Sequence, residues 1–404
     1  MFNRLVNTAQ HWDSALYRRP DLQAIAIAIQ QSIPILAIDV YFRLLLKLAI
    51  SPDALFANLF SNYPVLPDTI TDHSRLILSN LDMAVAMVFV IGLTHHYLTN
   101  RGIQNTTLPV ITNFIAIYLL LFEKSQLPAY IATQYLLITL ITLLSCRTYY
   151  WYYHHFTPNA SPFSFKYLIW AMTIIAINLL LHIVCRFPRM LTIISNLLSQ
   201  TFFTTFSGLL LIAILSPMLF LLGFSLPPEL TGNQTTLNPV ISNLDAMLTH
   251  GLSTLPFPEN LYSIYGAFSL FGGVGNTLAL NVLLLFAVSK KYKRLGILSW
   301  IPSLFDNNFL LYAGLPLFLR PLMLVPMLLV NVSSLLISYI AVASHLVQPV
   351  VFLTPNNLPN TLLPTLASNT PIRSTILAIL IFMLSLLIYR PFIHRLMTED
   401  SNEK

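Results

Sequence analysis

The chain of 404 residues is 56% hydrophobic and only 9% charged, against about 25% charged in an ordinary soluble domain. With a mean hydropathy of +0.71, this excludes a soluble globular protein. It predicts an all-α polytopic membrane protein of roughly ten transmembrane helices, at about 20 residues each, with re-entrant hairpins. The net charge of +6 is spread over the ends of apolar runs, at Arg18, Arg19, Lys290, Lys291, Lys293, Arg294, Arg390 and Arg395. That is the positive-inside pattern of a lipid bilayer partner. No basic patch of the nucleic-acid-binding kind exists.

Residues 1–19 predict an interfacial helix, with Phe2, Leu5, Val6, Trp12, Leu16 and Tyr17 on one broad apolar face. The segment has no apolar core of the signal-peptide type. After Pro20 the first span begins, and it carries Asp39, Arg43 and Lys47 at four-residue spacing, hence on one stripe. A charge at the bilayer centre costs about 2.5–3.5 kcal/mol. The stripe is therefore expected to face protein or water, with Asp39 paired to Arg43 and Lys47 snorkelling. A role for the stripe in solute passage is the alternative.

A short amphipathic piece follows near 51–63. The second span, 76–98, ends at His95 and His96, which point to different helix faces and suit an interface better than a metal. The third span is 107–122. The fourth, 129–150, runs into TYYWYYHHF, the crowding of an aromatic belt; a stacking platform for sugar is the alternative. The fifth is 165–185. Met190 to Ser207 reads as an amphipathic or re-entrant helix, and 208–226 as another span. The proline-rich segment 227–265 reads as an embedded loop with short helices or a lid, with His250 an exposed loop residue. Residues 319–347 form a span interrupted by Pro321 and Pro326, and 373–391 form the last, followed by a short tail. Cys146 and Cys185 form no motif and read as inert thiols. No internal repeat is visible.

The most informative stretch is 271–316, FGGVGNTLALNVLLLFAVSKKYKRLGILSWIPSLFDNNFLLYAGLP. An apolar helix opens on glycines and a basic loop follows. The chain then re-enters apolar sequence around Asp306, Asn307 and Asn308, between Pro302 and Gly314-Leu315-Pro316. Irregular polar backbone at membrane depth is tolerated only where it is buried in protein or lines a cavity. This predicts a solute site formed by Asp306, Asn307 and Asn308, with Gly272, Gly273, Asn276 and Tyr312 nearby. Close helix packing is the competing reading for the glycines. No G-x-x-x-x-G-K-[ST] and no H-E-x-x-H occurs. No metal ligand set, no cofactor and no catalytic residue is assigned.

In order, GGVGNTLAL, SKKYKRLGILSWIPSLF and YAGLPLFLRPLMLVPMLL resemble the membrane subunit, enzyme IIC, of the phosphoenolpyruvate-dependent sugar phosphotransferase system. The lactose, cellobiose and diacetylchitobiose branch is nearest. RRPDLQAIAIAIQQSIPIL resembles that family's first span, and LLIYRPFIHRL its closing segment. The resemblance implies one enzyme IIC-like domain over 1–404: an interfacial helix at 1–19, scaffold spans at 20–226, a transport region at 227–348, and a last span and tail at 349–404. It further implies a multi-pass protein of the bacterial cytoplasmic membrane, a homodimer, a sugar ligand, and a cytoplasmic partner carrying phosphocysteine. The chain departs from the family at two polar positions. The glutamate after Ile-Asn falls on Phe309, and the following proline on Leu310. The histidine of a Phe-Gly-Ile-His-Gly turn falls on Ser225. Two readings follow from these residues. One is a working sugar permease subunit, and the other a degenerate receptor, sensor or facilitator without phosphotransfer. A membrane scaffold with no ligand is a third.

Overall fold

The structure is a computed structural model. It describes residues 2–60, 63–64, 66–121, 135–156, 165–184, 196–224, 237–251, 255–315, 317–355 and 357–402. The described residues are mostly helical, with no strand among them beyond one isolated bridge between Val350 and Ser368. The helices are α1 (Phe2–Tyr17), α2 (Pro20–Gln31), α3 (Ile33–Leu45), α4 (Leu55–Leu59), α5 (Asp68–Thr99), α6 (Thr107–Leu121), α7 (Tyr135–Phe156) and α8 (Phe165–Val184). They continue as α9 (Phe206–Leu221), α10 (Asn238–His250), α11 (Thr277–Leu285), α12 (Lys290–Leu304), α13 (Phe309–Gly314), α14 (Pro321–Ala343), α15 (Leu363–Leu366) and α16 (Pro371–Asn402). Among them α5, α14 and α16 are long and apolar enough to cross a membrane, and α6, α8 and α9 contain shorter apolar stretches.

The surface fits lipid. On α16, Ile372, Ile376, Ile379, Leu380, Met383 and Leu387 are exposed along one stripe, while Leu377, Ile381, Tyr389 and Phe392 on the other side are buried. Polar residues join helices inside. Asn113 of α6 donates to Thr94 of α5 at 3.0 Å and accepts from Ser145 of α7, the interhelical bonding expected where hydrocarbon supplies no partner. The α2–α5 contact is close because Gly92 faces Ala28; a Cβ at Gly92 would stand 3.3 Å from the Ala28 backbone.

Several expectations change. The first span is two helices. Pro34 has no N–H to donate and sits in the first turn of α3, so the chain restarts at Ser32. A π-helical turn, Leu46–Ile50, then carries Lys47. Lys47 does not snorkel: its ammonium donates to the carbonyl of Phe305 at 3.2 Å. Asp39 does face Arg43, but Arg43 makes its shorter bond, 2.8 Å, to Asp82 of α5. The aromatic run after residue 148 stays helical to Phe156. The chain after Pro391 is no short tail, because α16 continues through it to Asn402; the helix has already turned enough there to bury Phe392 and Leu396. Of the helix expected at 190–207, residues 190–195 lie outside the described residues. The remainder ends in a 3₁₀ turn, Thr201–Thr204, before α9 begins on the Thr205 cap. His250 closes α10 rather than a loop.

The amphipathic α1 clamps the start of α14. Asp13 accepts from Arg320 Nε at 3.0 Å and from the backbone N–H of Leu322 at 3.4 Å. Tyr17 donates to the Phe318 carbonyl at 3.0 Å, and the Arg320 guanidinium lies 5.0 Å from its ring. Burial raises the Asp13 carboxyl above its ordinary range, and Arg320 pulls it back. Asp13 is 2% exposed, so Asp13→Ala leaves Arg320 as a mostly covered charge without its carboxylate partner. The expected loss is about 3–5 kcal/mol, measured as a lowered unfolding midpoint of the full chain in detergent. A change near zero would show that α1 does not anchor α14.

Candidate functional site

Between Ser269 and α11 the chain forms a tight loop that only small residues allow. Gly272, Gly273 and Gly275 all have positive φ, and Asn276 is left-handed at φ 49. A Cβ at Gly272 would stand 2.5 Å from the Leu278 backbone nitrogen, and one at Gly273 would stand 2.6 Å from Asn308 Nδ2. The loop amides are taken up by the protein. Phe271 N–H donates to Asn276 Oδ1 (2.9 Å), Gly272 N–H to Asp306 Oδ1 (3.0 Å), Gly273 N–H to the Leu270 carbonyl (2.9 Å), and Gly275 N–H to Asn331 Oδ1 (3.1 Å). The Gly275 carbonyl accepts from the Tyr389 hydroxyl. With those donors engaged, the loop is a fixed structural piece and not an open phosphate cradle.

Against it lies the turn between α12 and α13. Pro302, near the end of α12, is followed by Asp306 in the left-handed region at φ 64, where aspartate is tolerated better than most residues. One Asp306 oxygen takes the Gly272 amide and the other takes the Asn360 amide at 2.7 Å. Lys47, bonded to the neighbouring Phe305 carbonyl, supplies the nearby positive charge. Three distant segments thus converge on one carboxylate. Asn308 is 7% exposed, and its amide reaches Thr277 Oγ1 of α11 at only 3.5 Å, the limit of a useful hydrogen bond. Asn307 accepts from the Phe309 amide at 3.2 Å. Phe309 is half-buried at the start of α13 and packs on the core.

The structure therefore brings together Gly272, Gly273, Asp306, Asn307 and Asn308. It places Asn276 and Tyr312 differently. Asn276 is fully buried, with its amide on Ser334 of α14 (3.2 Å) and Ser385 of α16 (3.1 Å) and its oxygen on Phe271 N–H. Tyr312 stacks on Tyr135 (5.7 Å, 20°), meets Phe220 edge-on (5.2 Å), and directs its hydroxyl to the Leu221 carbonyl. Ser225 lies outside the described residues. Sequence reasoning missed Asn360 and Thr277. The Asp39–Arg43–Lys47 stripe marks Lys47 as a charge within a span, but the expected snorkelling gives way to a contact with the Phe305 carbonyl. No group of three or more metal-ligating side chains occurs among the described residues.

Fold and surface define a polytopic α-helical membrane protein whose buried polar residues join its helices and brace the loop before α11. The chain is related in sequence to the enzyme IIC membrane subunits of sugar phosphotransferase systems. It is 33% identical over 130 residues to a cellobiose-specific EIIC component of Lactococcus lactis subsp. lactis, matching 32% of this chain and 26% of that protein. It is 29% identical over 182 residues to a galactose-specific EIIC component of L. lactis subsp. cremoris, matching 43% and 39%. A Geobacillus stearothermophilus cellobiose-specific EIIC component is 37% identical over 123 residues, matching 30% and 27%. The matched stretches thus span between about a quarter and two fifths of these curated relatives. No family model matches the chain. Among solved structures, the transporter ChbC, the IIC component of the N,N'-diacetylchitobiose-specific phosphotransferase system, aligns over 96% of this chain and 95% of its own, at 20% identity and TM-score 0.42.

The glycine loop gives a differential prediction. Gly102→Ala meets open space at φ +83, so only left-handed strain of about 1–2 kcal/mol is expected. Gly272→Ala adds a collision with backbone, which cannot swing away. Its unfolding midpoint in detergent should fall clearly below that of Gly102→Ala. Equal losses would mean that the loop is not closely seated on α11.

Proposed function

We propose that the chain is the permease-like membrane subunit of a sugar phosphotransferase system, residing in a bacterial cytoplasmic membrane. It would bind a mono- or oligosaccharide beside the glycine loop and carry it across. Residues 20–226 would serve as scaffold and 227–348 as the transport region. The sequence relation to cellobiose- and galactose-specific components supports the sugar class. The observation that carries the site is the pairing of Asp306 with a weakly committed Asn308. Asp306 keeps lone pairs beyond those used by two amides, and Asn308 can exchange a 3.5 Å contact for a sugar hydroxyl at little loss. By the same resemblance, the subunit would work as a homodimer with a cytoplasmic partner that carries phosphocysteine.

A specific observation favours the second reading, a receptor, sensor or facilitator that binds sugar without phosphotransfer. Phe309 stands where the family has glutamate, and a phenyl ring accepts no proton. A positioned base contributes about 10²–10⁴-fold. Asp306 does not replace it directly, since its carboxylate is turned to Gly272 and Asn360.

The test is a thermal-shift screen of the full chain in detergent against cellobiose, galactose and diacetylchitobiose. A ligand at a hundred times its Kd should stabilise the fold by about 2.7 kcal/mol. Asn308→Ala should weaken that ligand at least about tenfold, equivalent to about 1.4 kcal/mol, while the unliganded midpoint stays close to wild type. Binding unchanged by Asn308→Ala would overturn the site. Rapid phosphoenolpyruvate-dependent phosphorylation of the bound sugar by membranes supplied with the partner proteins would exclude the second reading.

A further inference from the structure

A second concentration of charge lies away from the glycine loop, between α3 and α5. Asp39 and Asp82 are 1% and 3% exposed, and between them stands one cation, Arg43, at 24%. A single guanidinium nitrogen serves both carboxylates, at 2.8 Å to Asp82 Oδ1 and at 3.4 and 3.5 Å to the two Asp39 oxygens. Neither pairing is bidentate. Asp82 Oδ2 and Arg43 Nε are buried without a hydrogen-bond partner. With both carboxyls ionised the triad would carry a net charge of −1 inside the protein. The effective penalty for burying an ion is several kcal/mol unless it is matched. Ionisable side chains held within membrane helices are typical of proton pathways.

Among the described residues, Arg43 is the one cation bonded to Asp39 or Asp82, and Arg147 of α7 forms no ion pair with either. On α7, the phenol ring of Tyr135 is stacked against Tyr312 of α13. Tyr41 of α3 gives its hydroxyl to the Leu298 carbonyl of α12. Helix α6 has Tyr118 as its one titratable residue. On α2, Asp21 is matched by Arg101 at 3.0 Å. Lys47, one turn along from Arg43, is engaged at Phe305 beside Asp306.

We propose that Asp39, Arg43 and Asp82 form a proton-binding site, in which one exchangeable proton is held on the two carboxyl groups. The proton comes from water and returns to it. One O–H bond forms on a carboxylate oxygen, no electrons move, and the triad becomes neutral. The unpartnered Asp82 Oδ2 is the oxygen with room for it. The site stands one helical turn from Lys47, which touches the turn holding Asp306. Gain or loss of the proton therefore changes the field at the candidate sugar site. The inference does not depend on whether the chain takes part in phosphotransfer.

The test is infrared difference spectroscopy of the full chain in detergent, titrated from acid to alkaline pH. The wild type should show the carbonyl stretch of a buried protonated carboxylic acid, which disappears at high pH. That band should be lost or shifted in both Asp39→Asn and Asp82→Asn. The wild-type titration stands even if one variant folds poorly. Three outcomes would overturn the proposal: no protonated-acid band at any pH; a band untouched by either substitution, which would assign it to another carboxyl such as Asp306; or absence of the band with stabilisation of the wild type, but not of Asp82→Asn, by sodium or potassium, which would make the site a metal-cation site.

Discussion

The structure depends on satisfying the peptide groups of a non-helical loop buried among helices. Gly275 shows the constraint. Its N–H is taken by Asn331 of α14 and its carbonyl by Tyr389 of α16. Asn331 in turn is held by Ser216 of α9 (3.2 Å) and Tyr265 (3.3 Å), which bond to each other at 2.6 Å. Asn276 ties the same loop to Ser334 and Ser385. An unpaired peptide group in hydrocarbon costs several kcal/mol, so these side chains permit the loop to exist. The glycines, the asparagine at positive φ and the turn bearing Asp306 are all arranged around that requirement.

Charge links the N-terminal helices to this region at two places. Asp13 of α1 meets Arg320 ahead of α14, and Lys47 beyond α3 meets the turn before α13. Each contact joins residues more than two hundred positions apart, and each lies among apolar groups where a lone charge is unfavourable. The two parts of the chain are therefore registered by a few polar contacts as well as by packing. A permease subunit would have to exchange these contacts if the two parts moved against each other.

Much of the architecture is legible from periodicity and breakers. The spans at 107–121, 165–184 and 321–343 follow the apolar runs closely, and Asp306 to Asn308 stands out because three polar residues interrupt such a run. Less legible is what each polar residue does. Asn276 and Asn308 look alike in sequence. One is fixed by a local amide and by two serines from distant helices, and the other has one long side-chain contact. That difference is set by residues up to 109 positions away, beyond the reach of local pattern. Proline misled in both directions. Pro34 restarts a helix, whereas Pro391 rides within one. A missing donor is harmful in mid-helix and harmless in a first turn, and local sequence did not reveal which applied.

The Tyr389–Gly275 bond spans 114 residues, and this bears on biogenesis. A membrane chain leaves the ribosome from its N-terminus at about 5–20 residues per second. The glycine segment is thus made well before the tyrosine that completes it. During that interval the loop lacks its last partner and must borrow hydrogen bonds from water, the insertion machinery or other nascent segments. Entry of α16 would act as the closing stitch, fixing the segment in place only after that helix has been made.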